Sequence, residues 1–150
     1  MTYLPSGMPA PEPGPEDAPF WQACQDKTLK IRFCHDCTRY FHPPMPGCPR
    51  CGSMDLGWKE VSGNGTVFTY TIGHHAVHPA LKGHGPYNVS VILLDDVDDV
   101  RLVSNVIDVP PEELSIGMPV TVCFEPAGNG MLLPRFRRRN PSSESTGSAR

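Results

Sequence analysis

The sequence predicts a mainly β protein: a short N-terminal helix, a cysteine-clasped ribbon, then a barrel of five short strands. Three observations carry that prediction. Two C-x-x-C pairs, Cys34-His35-Asp36-Cys37 and Cys48-Pro49-Arg50-Cys51, stand ten residues apart across a stretch rich in proline and aromatics. From Gly63 onward, β-branched and aromatic runs alternate with turn residues. With 18 prolines, 14 glycines and 19% charged side chains in 150 residues, the composition suits a loop-rich strand protein better than a helical bundle.

Residues 1–15 are crowded with Pro, Gly and Ser and cannot bury a core by themselves. They predict an extended arm that docks on a partner or stays mobile. Residues 16–28 follow as a helix. Glu16 and Asp17 precede Pro19, an N-terminal signal, and Phe20, Trp21 and Cys24 fall near helical spacing, with an end near Lys27. Trp21 suits either an interface anchor or packing against the neighbouring ribbon.

Residues 29–60 form the ribbon. Leu29, Ile31 and Phe33 alternate with Lys30 and Arg32, which predicts a strand running into the first cysteine pair. Pro43-Pro44 excludes a central strand in the middle loop, and Leu56, Trp58 and Val61 lead out. The spacing of Cys34, Cys37, Cys48 and Cys51 is that of a four-thiolate metal site, and Gly52 supplies a residue free to take positive φ where the second turn closes. Four soft ligands in a tetrahedron suit zinc, with a redox iron centre as the alternative. A site closed by four cysteines has no open position for water or substrate, so the metal is expected to be structural. A ribbon this small needs it to fold.

Residues 61–139 predict the barrel. Expected strands are Thr66–Ile72, with Phe68, Tyr70 and Ile72 on one face, then Tyr87–Leu94 and Val100–Ile107. Pro119–Glu125, with Val120, Val122 and Phe124 inward, and Met131–Arg137 complete the set. Asp95–Asp99 is a charged turn, Pro110–Leu114 one helical turn, and Ala127–Gly130 a hairpin. Five short strands with one helical insertion fit a Greek-key barrel of the OB type. Residues 140–150 are polar, lack aromatics and are expected to be disordered.

A net charge of -3 argues against broad nucleic-acid binding, which needs positive surface. No apolar run is long enough to cross a bilayer, and no basic start with an apolar core suggests a signal peptide. Four of six cysteines sit at metal spacing, and Cys24 and Cys123 are isolated, so a reducing cytoplasm is the expected compartment.

The succession of Phe20-Trp21, the double C-x-x-C ribbon, Pro43-Pro44, Gly65-Thr66-Val67, His78-Pro79, Pro86-Tyr87, Gly117-Met118-Pro119-Val120 and Pro134-Arg135-Phe136 resembles a known family. That family comprises the rubredoxin-like zinc-ribbon plus OB-fold proteins of acyl-CoA metabolism, long catalogued as a domain of unknown function. The likeness covers roughly Pro19 to Arg139, a span typical of one compact unit. It implies a non-catalytic accessory subunit in a hetero-oligomer with a thiolase-fold enzyme, either a thiolase or a lipid-transfer-protein-like aldolase that shortens steroid side chains. It also implies that the subunit docks beside the partner's coenzyme A entrance and helps form the acyl-CoA site.

The remaining constellations are weighed beside that resemblance. Gly73–Gly85 carries four histidines between the first two barrel strands, where OB folds often bind ligands. No carboxylate accompanies them at metal spacing, so His74 and His78 are read as contacts to a partner or to its acyl-CoA entrance. Asp95, Asp96, Asp98 and Asp99 lack the glycine and glutamate of a calcium loop and read as a solvated turn. Arg135 and Arg137, in the basic run that ends at Arg139, could face the phosphates of coenzyme A or form a solvated face. No nucleophile elbow, H-E-x-x-H or phosphate-binding glycine loop is present, and no catalytic residue is assigned. The competing reading is a single-stranded nucleic-acid module, by analogy with other OB barrels. The acidic balance and the lack of aromatics interleaved with the basic residues speak against it.

Overall fold

One α-helix, eight strands and two 3-10 turns make up residues 1–140, the part of the chain that the computed structural model describes. The expectation of a disordered tail falls almost entirely on residues 141–150, outside the described residues. The helix α1 (Ala18–Gln25) carries Pro19 in its first turn, where a missing N–H costs nothing. Asp17 stands at the N-cap, yet its carboxylate does not cap the helix. One oxygen accepts the Gly14 N–H at 2.6 Å and the other accepts the indole N–H of Trp21 at 3.0 Å. Lys27, at φ 57, ends the helix, and Phe20, Ala23 and Cys24 are its buried residues.

Strands β1 (Leu29–Cys34), β2 (Tyr40–Phe41) and β3 (Leu56–Val61) form an antiparallel sheet in the order β2-β1-β3. The two-residue β2 stops ahead of Pro43-Pro44, as a pair of prolines requires. Strands β4 (Asn64–Gly73), β5 (Tyr87–Leu94), β6 (Arg101–Ser104), β7 (Pro119–Pro126) and β8 (Leu132–Arg138) form the second sheet, ordered β6-β5-β4-β7-β8. Its antiparallel sheet curls until the two ends meet. Beyond β6, Val106 pairs in parallel with Phe136, and the Ile107 N–H donates to the Phe136 carbonyl at 2.8 Å. This is the mainly β, OB-type architecture expected from the strand pattern.

Two strand details differ from expectation. Phe68 does not share a face with Tyr70 and Ile72, because β4 bulges between Val67 and Thr69. An extra residue reverses the side-chain alternation, so Val67 is buried while Phe68 turns outward, 45% exposed beneath the Arg101 guanidinium. The third strand was expected to reach Ile107 and ends at Ser104. Asn105 leaves the β5 ladder, and its carbonyl accepts the Phe136 N–H at 3.0 Å.

A single core runs through ribbon and barrel. Leu29 and Ile31 of β1 pack in one buried cluster with Phe20, Val67, Ile92, Val120 and Phe136. Fully burying a side chain such as Phe136 stabilises by about 2–3 kcal/mol. The ribbon therefore shares a core with the barrel.

The N-terminal arm, expected to meet a partner or move freely, lies instead against its own barrel. Its anchor is Tyr3, whose phenol oxygen accepts both the backbone and the side-chain N–H of Asn88, each at 2.8 Å. The Tyr3 N–H donates to Glu125, and its carbonyl accepts from Nε2 of His84 at 2.7 Å. Asn88 is itself 1% exposed and spends every polar atom of its side chain. Its Nδ2 donates to the Val106 carbonyl, and its Oδ1 accepts from Ser90 Oγ and the Val106 N–H. One buried amide thus ties the arm, β5 and the closing segment together. Asn88→Ala should destabilise the folded protein by about 3 kcal/mol, because several buried partners lose their mate at once. Urea unfolding of metal-loaded protein measures this, and a loss below about 1 kcal/mol would show that the seam is held elsewhere.

Candidate metal centre and docking surface

The four cysteines predicted as ligands come together at one end of the ribbon. Sulfur atoms of Cys34, Cys37, Cys48 and Cys51 all lie within 4.8 Å of one another. Cys34 and Cys51 stand 3.6 Å apart, as do Cys37 and Cys48, and none is in a disulfide. Those separations are close to the edge of a sulfur tetrahedron around a metal, about 3.8 Å for metal–sulfur bonds near 2.3 Å. Backbone N–H groups favour the anion most at Cys48, whereas burial pushes the Cys37 thiol up to about 12 and the Cys51 thiol is also raised. The Cys37 N–H points at Cys34 Sγ at 3.5 Å, and the Cys51 N–H at Cys48 is the main cause that holds the Cys48 thiol down at about 6. Gly52 takes the expected positive φ of 76° after the second pair; Thr38 takes the matching position after the first, at φ 55°. The cluster can hold a metal ion and fits a zinc ribbon.

Around the cluster, Cys34, Cys48 and Phe41 form a second small core against Leu56 and Cys37. The hydroxyl of Ser53 donates to Asp36, joining one cysteine turn to the other. A further tie reaches the barrel. Asp98, in the turn read as solvated, accepts the Tyr40 N–H at 2.9 Å and the Arg39 guanidinium at 3.3 Å. Val97 beside it is buried in the main core. The turn thus touches the ribbon through Asp98, although Asp96, Asp98 and Asp99 all remain exposed.

The residues read as contacts for a partner or acyl-CoA do not converge. Phe20 is buried, packed edge-on to Trp21 at 5.1 Å and against His42 at 5.4 Å. Together with Pro43, Pro44, Leu102, Val103 and Phe136 these side chains line a mostly apolar groove of about 260 Å³ between helix, ribbon and barrel. Burial pushes the His42 pKa down, and the Asp17 carboxylate also lines the groove. Trp21 is half-buried, its indole N–H held by Asp17.

His74 is exposed in the long β4–β5 loop. His78 has a local task that its sequence context did not reveal: its Nδ1 accepts the Ala80 N–H at 3.2 Å and caps the 3-10 turn Pro79–Leu81. Arg135 is likewise committed internally. It donates to Asn105 and stands 3.8 Å from Glu125, with 14% of its side chain exposed. Arg137, two residues on, keeps an exposed side chain. Burial pushes the Cys24 thiol up to about 12 and raises that of Cys123; Cys24 belongs to the main core.

A family model described as ChsH2, C-terminal OB-fold domain, matches residues 58–125. The probable enoyl-CoA hydratase alpha subunit of Thermomonospora curvata is 38% identical over 130 residues, 86% of this chain and 40% of the relative. The 3-oxo-4,17-pregnadiene-20-carboxyl-CoA hydratase alpha subunit of Mycobacterium tuberculosis is 29% identical over 121 residues, 80% of this chain and 37% of the relative. This chain therefore spans about two fifths of the length of these hydratase subunits. A DUF35 domain-containing scaffold protein of Methanocaldococcus jannaschii is 30% identical over 106 residues, 69% of this chain and 73% of the relative. Among solved structures, a chain of the Ltp2-ChsH2(DUF35) aldolase superposes with a TM-score of 0.76 at 36% identity, over 86% of this chain and 98% of that one. With its cysteine ribbon and OB-type barrel in this order, and with a relative and a solved structure matched over most of their length, the chain belongs to the DUF35 family.

Proposed function

We propose that this chain is a non-catalytic subunit that docks on a thiolase-fold enzyme, of the lipid-transfer-protein-like aldolase or thiolase type, and helps to form its acyl-CoA site. The observation that carries this reading is the match to the DUF35 chain of the Ltp2-ChsH2 aldolase over 98% of that chain's length. The names of the relatives agree in kind, since they describe a scaffold and alpha subunits of acyl-CoA hydratases. The Mycobacterium tuberculosis relative is named for a steroid-derived acyl-CoA, which supports steroid side-chain breakdown as the setting. The chemistry of the site points the same way. Its candidate metal position is made by four cysteines, burial raises the Cys24 and Cys123 thiols, and the histidines are spread along a loop.

In this reading the metal is zinc and structural. Cys34, Cys37, Cys48 and Cys51 hold it, and the ion's role is to fix β1 and the two cysteine turns in the geometry that meets the barrel. The partner subunit would supply the group that breaks the carbon–carbon bond. The exposed His74 and Arg137, and the groove beside Phe20 and Trp21, are the parts of this chain left to face it.

Two measurements test the proposal. Cys48→Ser should lose the stoichiometric zinc of the purified protein, read by metal analysis, and lose the complex with it; unchanged zinc content would remove Cys48 from the ligand set. Co-expression with a thiolase-fold aldolase subunit, followed by size exclusion and an acyl-CoA cleavage assay, should give one complex whose turnover falls at least tenfold when this chain is omitted. Full activity of the partner alone, or turnover by this chain alone, would defeat the reading.

A further inference from the structure

Every strand edge is a row of N–H and C=O groups that must find protein partners or water. Along β8 these groups are taken. The Leu132 N–H donates to the Gln25 side chain at 3.0 Å, the Pro134 carbonyl accepts from Ser104 Oγ at 2.8 Å, and Phe136 bonds to Asn105 and Ile107. On β2, Asp98 covers the Tyr40 N–H. The free edge of β6 is four residues long and opens on the groove already described.

β3 is different. It pairs with β1 alone, and the His35 N–H bonding to the Asp55 carbonyl at 2.9 Å sets the phase of that ladder. Antiparallel alternation then turns the backbone groups of Gly57, Lys59 and Val61 toward β1, and those of Trp58 and Glu60 outward. Among the described residues no protein group meets the outward N–H groups of Trp58 and Glu60. The strand is six residues long, about 20 Å, and contains no proline.

Charge gives this edge a preference. On a chain of net charge -3, β1 and β3 carry Lys30, Arg32 and Lys59 against the carboxylate of Glu60. None of the three cations takes part in an ion pair among the described residues. Two are instead positioned over rings, Arg32 at 5.2 Å from the centre of Trp58 and Lys59 at 3.8 Å from that of Phe33. A lysine often guards an edge strand by projecting past it; Lys59 lies over Phe33 instead.

We propose that the outward edge of β3 accepts an extended, acidic segment of the partner subunit as an added strand. The inference rests on the reading that this chain is a subunit. Backbone hydrogen bonds to Trp58 and Glu60 supply the register, and carboxylates of the segment meet Lys59 on one face and Arg32 on the other, where Lys30 already stands opposite Glu60.

Glu60→Pro tests it, since proline removes an outward N–H while the Gly57, Lys59 and Val61 bonds to β1 stay. Affinity of the zinc-loaded, full-length variants is measured against a co-expressed thiolase-fold aldolase subunit, with circular dichroism and zinc content as checks of folding. Glu60→Pro should bind roughly tenfold more weakly or worse, while Glu60→Ala, which keeps the N–H and sheds a negative charge, should bind at least as well as wild type. The variant Lys59→Glu should also bind weakly at low salt, with the gap to wild type narrowing as salt rises. Wild-type affinity in a folded Glu60→Pro overturns the added strand. Should that variant fail to fold, undiminished binding by the charge-reversed protein overturns it instead. If the wild-type chain binds no such subunit, the accessory-subunit reading fails first and takes this inference with it.

Discussion

The structure depends on four sulfurs being held within bonding distance of one point. Cys34 ends β1, Cys37 follows one tight turn later, and Cys48 and Cys51 come from a second turn beyond a proline-rich loop. The apolar cluster around them is only a few residues in size, too little to offset the entropy of ordering a loop this long. A metal bound by these thiolates would supply that free energy and make binding and folding one event. Because β1 also places Leu29 and Ile31 in the main core, the order imposed at the cysteines is transmitted to the barrel.

Polar groups then decide how the barrel closes. A curled five-stranded sheet leaves a seam, and here the seam is joined by the Val106–Phe136 bridge and by Asn88, Asn105 and Arg135 behind it. Buried amides of this kind cost free energy unless every atom is matched, and matching restricts the chain to one arrangement. Docking of the N-terminal arm belongs to the same network, since the Tyr3 phenol fills the last position at Asn88. Gln25 of α1 does the equivalent at the far end of β8, where it bonds both the N–H and the carbonyl of Leu132. The helix is thereby fixed as a cover for a strand edge.

A four-cysteine metal position, a buried Cys24 and a largely covered Arg135 beside Glu125 are side chains turned to the inside of the molecule. Surface left unmatched is the part that can recognise another molecule. In this protein it comprises the apolar groove under Phe20 and the outward edge of β3.

Much of this was legible in local sequence. The ligand set, the positive φ at Gly52, the helix beginning near Pro19 and the eight-residue strand Tyr87–Leu94 follow from spacing, residue chemistry and periodicity, which act over a few residues. What local pattern left open was the assignment of polar residues whose partners lie far along the chain. Tyr3 and Glu125 are separated by 122 positions, Gln25 and Leu132 by 107, and Tyr40 and Asp98 by 58. An aspartate in a turn looks solvated, and an arginine on a strand looks free, until another element is folded against it. The bulge at Phe68 has the same origin, since the pattern of β4 cannot show which residue its neighbour β5 leaves unpaired. Sequence alone determined the candidate ligand set and the kind of fold, because ligand type and side-chain period are properties of short segments. Only the tertiary structure decided which polar groups are spent inside the molecule and which edges stay open, because that depends on contacts between segments that the chain brings together last.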